Sequence, residues 1–145
     1  MKKYKVITLF GTRPEIIRLS SIIKNFDKSF DHKIVNTMQN YSSNLNKIFF
    51  KDFNIRKPDY EFKIKEKNAI QFISKILLEA EKIFLKEKPD AVFILGDTNT
   101  SLVSLSAKRK KIPIFHYEAG NRCFDQRVPE ELNRTLIDHM SDILF

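Results

Sequence analysis

What the 145-residue sequence lacks narrows its function before any motif is considered. A single cysteine, Cys123, cannot form an internal disulfide, and three scattered histidines do not match metal-ligand spacing. No apolar run approaches the ~20 residues that a membrane span needs. The opening Met1-Lys2-Lys3-Tyr4-Lys5 leads only into a short apolar stretch, which argues against a signal peptide. No Gly-x-Gly-x-x-Gly follows the first strand-like run, so a nicotinamide or flavin site is disfavoured, and no Gly-Lys-Ser/Thr phosphate loop is present. The expectation is a reduced, cytoplasmic protein without a cofactor or a structural metal.

A composition of 42% hydrophobic residues suits one globular domain. A chain of this length removes about two thirds of its unfolded surface from water. The net charge of +8 is compatible with a nucleic acid, a membrane surface or a phosphorylated small molecule. The only dense basic run, Lys108-Arg109-Lys110-Lys111, reads as a helix C-terminus, where cations meet the negative end of the dipole. A nucleic-acid surface would interleave aromatic and basic residues in one stripe. A substrate carrying phosphates fits the positive field, and neither nucleic acid nor membrane is the expected partner.

Short apolar runs alternate with longer helical patterns. Val6 to Phe10 reads as a strand ending at Gly11, and Ile16, Leu19, Ile22, Ile23 and Phe26 follow at helical spacing. Thr12 and Glu15 have capping-box spacing, with Pro14 in the first turn. Further strands are expected at His32–Thr37, Tyr60–Ile64, Ala91–Leu95, Ile112–Phe115 and from Ile143. Helices are expected around Leu45–Phe53, over Asn68–Lys86, from Gly96-Asp97-Thr98 to Lys108, and over Pro129–Met140. Pro58 and Pro89 break the chain between elements. This alternation implies right-handed βαβ units and a parallel, doubly wound α/β sheet.

In such a sheet ligands bind outside the carboxyl ends of the strands. Three polar segments fall there: Gly11-Thr12-Arg13-Pro14-Glu15, Gly96-Asp97-Thr98-Asn99-Thr100, and His116 to Arg122 extended by Arg127 to Arg134. They bring carboxylates (Asp97, Glu118, Glu130, Glu131), suited to acid–base work, and arginines (Arg13, Arg122, Arg127, Arg134), suited to clamping phosphate. Each has a plainer reading. Asp97 can cap the next helix, Glu118 can pair with Arg122, and Glu130 and Glu131 can complement a helix start. His116 reads as a packed or orienting residue, His139 as structural, and Cys123 has no histidine at a catalytic spacing.

The stretches Gly11-Thr-Arg-Pro-Glu15, Gly96-Asp-Thr98, His116-Tyr-Glu-Ala-Gly120 and Pro129-Glu-Glu-Leu-Asn-Arg134 resemble the bacterial UDP-N-acetylglucosamine 2-epimerase family. The four motifs come in order and span the chain. The run from Glu118 to Glu131, with Gly11–Ser20 and Ile55–Tyr60, looks most like the branch that forms UDP-N-acetyl-L-fucosamine from its L-talo epimer for capsule and O-antigen sugars. Met38 and Ser74 stand where that branch would have glycine.

The resemblance implies that residues 1–145 are one Rossmann-like half of a glycosyltransferase-B-like two-domain enzyme, with the C-terminal nucleotide-binding half absent. It implies a non-hydrolysing epimerase that eliminates and re-adds UDP without a cofactor. Asp97, Glu118 and Glu130 match the catalytic carboxylates, and Arg13 matches an arginine near the diphosphate. Arg122, Glu131 and Arg134 stand beside them as substrate-binding supports. The implied partners are a UDP-sugar and either a separate C-terminal half or a second copy. The alternatives are an inactive truncated remnant and a hydrolysing 2-epimerase.

Overall fold

The computed structural model describes residues 3–39, 50–66 and 68–145. The elements are β1 (Lys5–Phe10), α1 (Arg13–Ser29), β2 (Asp31–Asn36), β3 (Tyr60–Glu61), α2 (Ala69–Glu87) and β4 (Ala91–Leu95). A 3-10 segment (Asn99–Val103) then runs into α3 (Ser104–Arg109), followed by β5 (Ile114–Tyr117), α4 (Pro129–Met140) and β6 (Ile143–Leu144). Among the described residues the strands form one wholly parallel sheet in the order β3-β2-β1-β4-β5-β6. The chain steps outward from β1 to β3, returns through α2 to β4 on the other side of β1, and continues to β6. The order therefore reverses between β1 and β4, the switch point outside whose carboxyl ends ligands bind in Rossmann-like folds.

Strand alternation sorts the apolar side chains onto two faces. Ile7, Leu9, Val92, Ile94 and Ile114 pack with Phe72, Ile76, Ala80, Ile83 and Phe84 of α2, with Ala107 of α3 and with Ile137 of α4. Val6, Phe10, Ile34, Phe93 and Leu95 pack on the opposite face with Ile16, Leu19 and Ile23 of α1. Such burial contributes about 1.5–3 kcal/mol per large side chain. Asn68 caps α2 by accepting from the Ile70 and Gln71 amides, and the helix ends at Lys88 in the left-handed region, just before Pro89.

Several expected boundaries shift. β5 is Ile114–Tyr117 rather than residues 112–115, because Pro113 offers only its carbonyl, to Val92 N, before the ladder starts. β3 is two residues long, so the alternation after Tyr60 packs without pairing; Phe62 and Ile64 belong to the α2-side core. The helix expected after Gly96 starts as a 3-10 turn. The helix expected around Leu45 lies mostly outside the described residues, of which Phe50–Asp52 are helical. In the basic run, Lys108 pairs with Asp142 and Lys110 with Glu81, each at 2.7 Å, near the end of α3.

A buried polar knot fastens the other edge. His32 gives its Nδ1–H to Asp27 (2.7 Å), which leaves Nε2 to accept from the Thr8 hydroxyl (2.8 Å). Arg56 holds Asp27 (3.0 Å), Asp59 (2.7 Å) and the His32 carbonyl (2.7 Å). Burial lowers the His32 ring from its ordinary value of 6.5, and the Asp27 bond opposes this only in part. The unfolded chain therefore takes up this proton more readily than the folded one. The stability that His32 contributes is complete above about pH 6.5 and is lost as pH falls through the lowered value. Urea unfolding at pH 7.5 and 5.5 should show a larger acid loss for the wild type than for His32→Gln. Equal losses would contradict the assignment.

Candidate active site

The carboxyl ends of β1 and β4 are joined by one side chain. Glu15, in the first turn of α1, is 2% exposed. Its Oε2 accepts from the Gly11 amide (2.8 Å), the Thr12 amide (2.8 Å) and the Thr12 hydroxyl (3.0 Å). Its Oε1 accepts from the Thr98 hydroxyl (2.7 Å), on the loop after β4. The expected capping box is present, but Glu15 also ties two strand ends across the switch point. Burial pushes its carboxyl up, and these donors pull it partly back. Gly11 is required here by close approach: a Cβ would collide with the hydroxyls of Thr37 and Thr100. Those hydroxyls bond each other at 2.7 Å, and Gln39 accepts from Thr100.

Asp97 does not cap the following segment, whose N-cap is Thr98. Its carboxylate instead takes Nε (3.0 Å) and Nη2 of Arg134 from α4. The buried Asn133 amide reaches the Asp97 carbonyl (2.9 Å) and Asn99 (3.2 Å). Arg134 continues to Glu131 (2.9 Å) one turn earlier on α4. Glu131 is 2% exposed and accepts from the Cys123 amide (2.9 Å) and the Phe124 amide (3.2 Å). The Cys123 N–H is the main cause that lowers its carboxyl from the ordinary range. The Asp97 loop, the 118–128 loop and α4 thus form one charge-linked unit.

Glu118 follows β5 with φ +63°, in the left-handed region that side chains rarely adopt. It pairs not with Arg122 but with Arg18 of α1 (2.6 Å). Its carboxylate lies beside Gly96, 4.0 Å from where a side chain there would begin. Arg122 pairs instead with Asp138 (2.7 Å), which also receives the Gly120 amide (3.0 Å) and the fully buried His116 (2.8 Å). Glu130 is exposed in the first turn of α4, and Arg13 is half-buried at the start of α1. Among the described residues neither makes a hydrogen bond or an ion pair.

The predicted site residues thus lie on the loops that follow β4 and β5 and on α1 and α4, with Arg134 in the middle of α4. Arg122, Glu131 and Arg134 are engaged within the protein, as braces. Sequence reading did not single out Arg18 or Asp138. Asp138 had a signal, because it lies seven residues after Glu131 and four after Arg134, on the same face of α4. No local spacing links Arg18 to a partner 100 residues away. Among the described residues no His, Cys, Asp and Glu cluster could hold a metal ion, and no helix is long and apolar enough to cross a membrane.

A profile of the UDP-N-acetylglucosamine 2-epimerase family matches residues 24–145. The UDP-N-acetylglucosamine 2-epimerase of Methanocaldococcus jannaschii is 48% identical over 97% of this chain and 39% of its own length. Its structure with UDP-GlcNAc and UDP superposes with a TM-score of 0.92, at 47% identity over 97% of this chain and 40% of that one. The Rickettsia bellii UDP-N-acetylglucosamine 2-epimerase superposes with a TM-score of 0.91, at 53% identity over 98% of this chain and 38% of that one. A Pseudomonas aeruginosa UDP-2,3-diacetamido-2,3-dideoxy-D-glucuronate 2-epimerase is 42% identical over 97% of this chain and 41% of its own length. The chain spans about two fifths of the length of these relatives.

The Glu15 bridge can be tested by stability alone. Thr98→Val removes the Oε1 donor while Glu15 stays buried. It should cost about 1–3 kcal/mol in urea unfolding. A change below about 0.5 kcal/mol, the usual range for a neutral surface substitution, would show that the two loops are not joined through Glu15.

Proposed function

Because the chain belongs to the UDP-N-acetylglucosamine 2-epimerase family, we propose that it is the N-terminal half of an enzyme that inverts C2 of a UDP-linked 2-acetamido sugar. The observation that supports this reading is that Asp97 and Glu118 directly follow the adjacent strands β4 and β5, each with its carboxylate held by a guanidinium. A UDP-linked 2-acetamido sugar is what the named relatives' substrates share. The finer assignment, to the L-talo and L-fuco pair of surface polysaccharide synthesis, rests on the 118–131 run.

The chemistry follows from where the proton sits. The C2 hydrogen of an N-acetylhexosamine is not next to a carbonyl, and direct removal would leave an unstabilised carbanion. If the C1–O bond to UDP breaks as C2–H is lost, positive charge at C1 makes that proton removable. The products of this step are a 2-acetamidoglycal and UDP. A proton delivered to the opposite face of C2, with return of the diphosphate oxygen to C1, gives the epimer. No redox step occurs.

The scheme needs carboxylates near both faces and cations on the departing diphosphate. In this reading Asp97, Glu118 and Glu130 supply the acid–base groups, and Arg13 meets the diphosphate. Arg122, Glu131 and Arg134 keep those groups in place. The remaining nucleotide contacts come from the C-terminal part that the relatives carry beyond this chain's span.

The test fuses this chain to the C-terminal region of the Rickettsia bellii relative and supplies UDP-GlcNAc in deuterium oxide. Deuterium should enter C2. Asp97→Asn and Glu118→Gln should melt like the parent fusion and lose at least about 100-fold in exchange. A folded fusion that binds UDP without labelling C2, or an Asp97→Asn protein with full turnover, would overturn the proposal. Release of free sugar and UDP in place of the epimer would assign the hydrolysing reaction instead.

A further inference from the structure

Among the described residues, His116 is the one fully buried titratable side chain that the scheme above leaves without a task. It is the last residue but one of β5, two residues before Glu118. Nδ1 lies 2.8 Å from Asp138 Oδ1, and Nε2 lies 2.8 Å from the carbonyl oxygen of Gly96, the residue before Asp97. A peptide carbonyl only accepts, so Nε2 carries a hydrogen. Asp138 is an acceptor as well: its second oxygen takes the Gly120 amide (3.0 Å) and Arg122 (2.7 Å). The ring is held between the β4 loop on one side and α4 on the other.

We propose that His116 is a positioning residue of the active site, a clamp that holds the β4 loop to β5 and so sets the spacing between the Asp97 and Glu118 carboxylates. This rests on the reading of the site given above. Gly96 has φ +66° and Glu118 φ +63°, so both loops leave their strands through left-handed turns that need an external hold. The Gly96 amide also bonds the Tyr117 carbonyl at 2.9 Å. Gly96 is thereby fixed at its amide by the β5 backbone and at its carbonyl by the β5 histidine. Asp138 anchors the clamp to α4, the helix that delivers Arg134 to Asp97 and carries Glu130 in its first turn. One buried pair thus sets three segments of the site. Neutral His32 provides the contrast within the same sheet, since its Nε2 faces a hydroxyl that can donate.

Two measurements decide it, one of them independent of activity. Long-range nitrogen–proton NMR of the 145-residue chain at pH 7.5 reads the state of each histidine ring, with His116 assigned through His116→Gln. His116 Nε2 should carry a hydrogen. A His116 Nε2 without one ends the proposal, whatever the enzyme does. In the fusion enzyme, His116→Phe keeps the ring volume and removes the donor to Gly96. It should lower kcat, expressed per folded molecule counted by circular dichroism, about 100-fold with KM within about twofold, as expected for misplaced catalytic groups. The count is needed because a melted fraction alone lowers apparent kcat at unchanged KM. If His116→Phe does not fold, His116→Gln is measured against the same criteria. Unchanged kcat in the folded variant overturns the positioning role, and loss of kcat together with a hydrogen on Nε2 in the parent supports it. Deuterium exchange by the parent fusion shows separately whether the epimerase reading itself holds.

Discussion

At the point where the sheet reverses its strand order, a buried carboxylate accepts hydrogen bonds from both sides of the gap. Glu15 gathers the Gly11 and Thr12 amides and the Thr12 hydroxyl from the β1 loop and the Thr98 hydroxyl from the β4 loop. A buried acceptor is tolerated only when it is satisfied, so these partners have to stay in register. The placement of Asp97, one residue before Thr98, follows from that requirement. The same requirement explains Gly11, whose missing side chain lets Thr37 and Thr100 close behind it.

From this bridge the site extends as a series of paired charges rather than as isolated reactive groups. Arg134 spans Asp97 and Glu131, Arg18 reaches across to Glu118, and Asp138 collects His116, Arg122 and Gly120. Breaking the pair at the buried Glu131 would leave an uncompensated charge, whereas the Arg18–Glu118 pair is half exposed. Loops held in this way suit the proposed reaction, in which a proton leaves one face of a carbon and returns on the other. Acid and base must keep their separation while the diphosphate moves away and comes back. Arg13 and Glu130 are the members without a partner among the described residues.

Much of this was legible in the sequence where the physics is local. The apolar run of Val6 to Phe10 and the helical spacing of Ile16, Leu19 and Ile23 are short-range patterns, and the capping residues Thr12 and Glu15 mark the start of α1. They place the strand ends and hence the three polar segments. Tyr60 to Ile64 misled, because alternation reports burial on a pleated surface and says nothing of whether a pairing partner is within reach. Met38 shows resemblance and geometry meeting: φ is +56° there, a conformation that suits the glycine expected by likeness. Ser74 is an ordinary helical residue on α2, and nothing in the structure there calls for glycine. The partners of Asp97 and Glu118 were illegible, since Arg134 and Arg18 are far away along the chain and local rules offered caps and near neighbours instead.

The central claim is that this site breaks the bond between C1 and the diphosphate as C2 loses its hydrogen. It is tested most directly by placing 18O in the bridging position between C1 and the β-phosphorus of UDP-GlcNAc and recovering the sugar nucleotide after partial turnover by the fusion enzyme. The account predicts that the label scrambles into the non-bridging positions, because free UDP rotates before it returns. C2 hydrogen exchange with the 18O still confined to the bridge would contradict it.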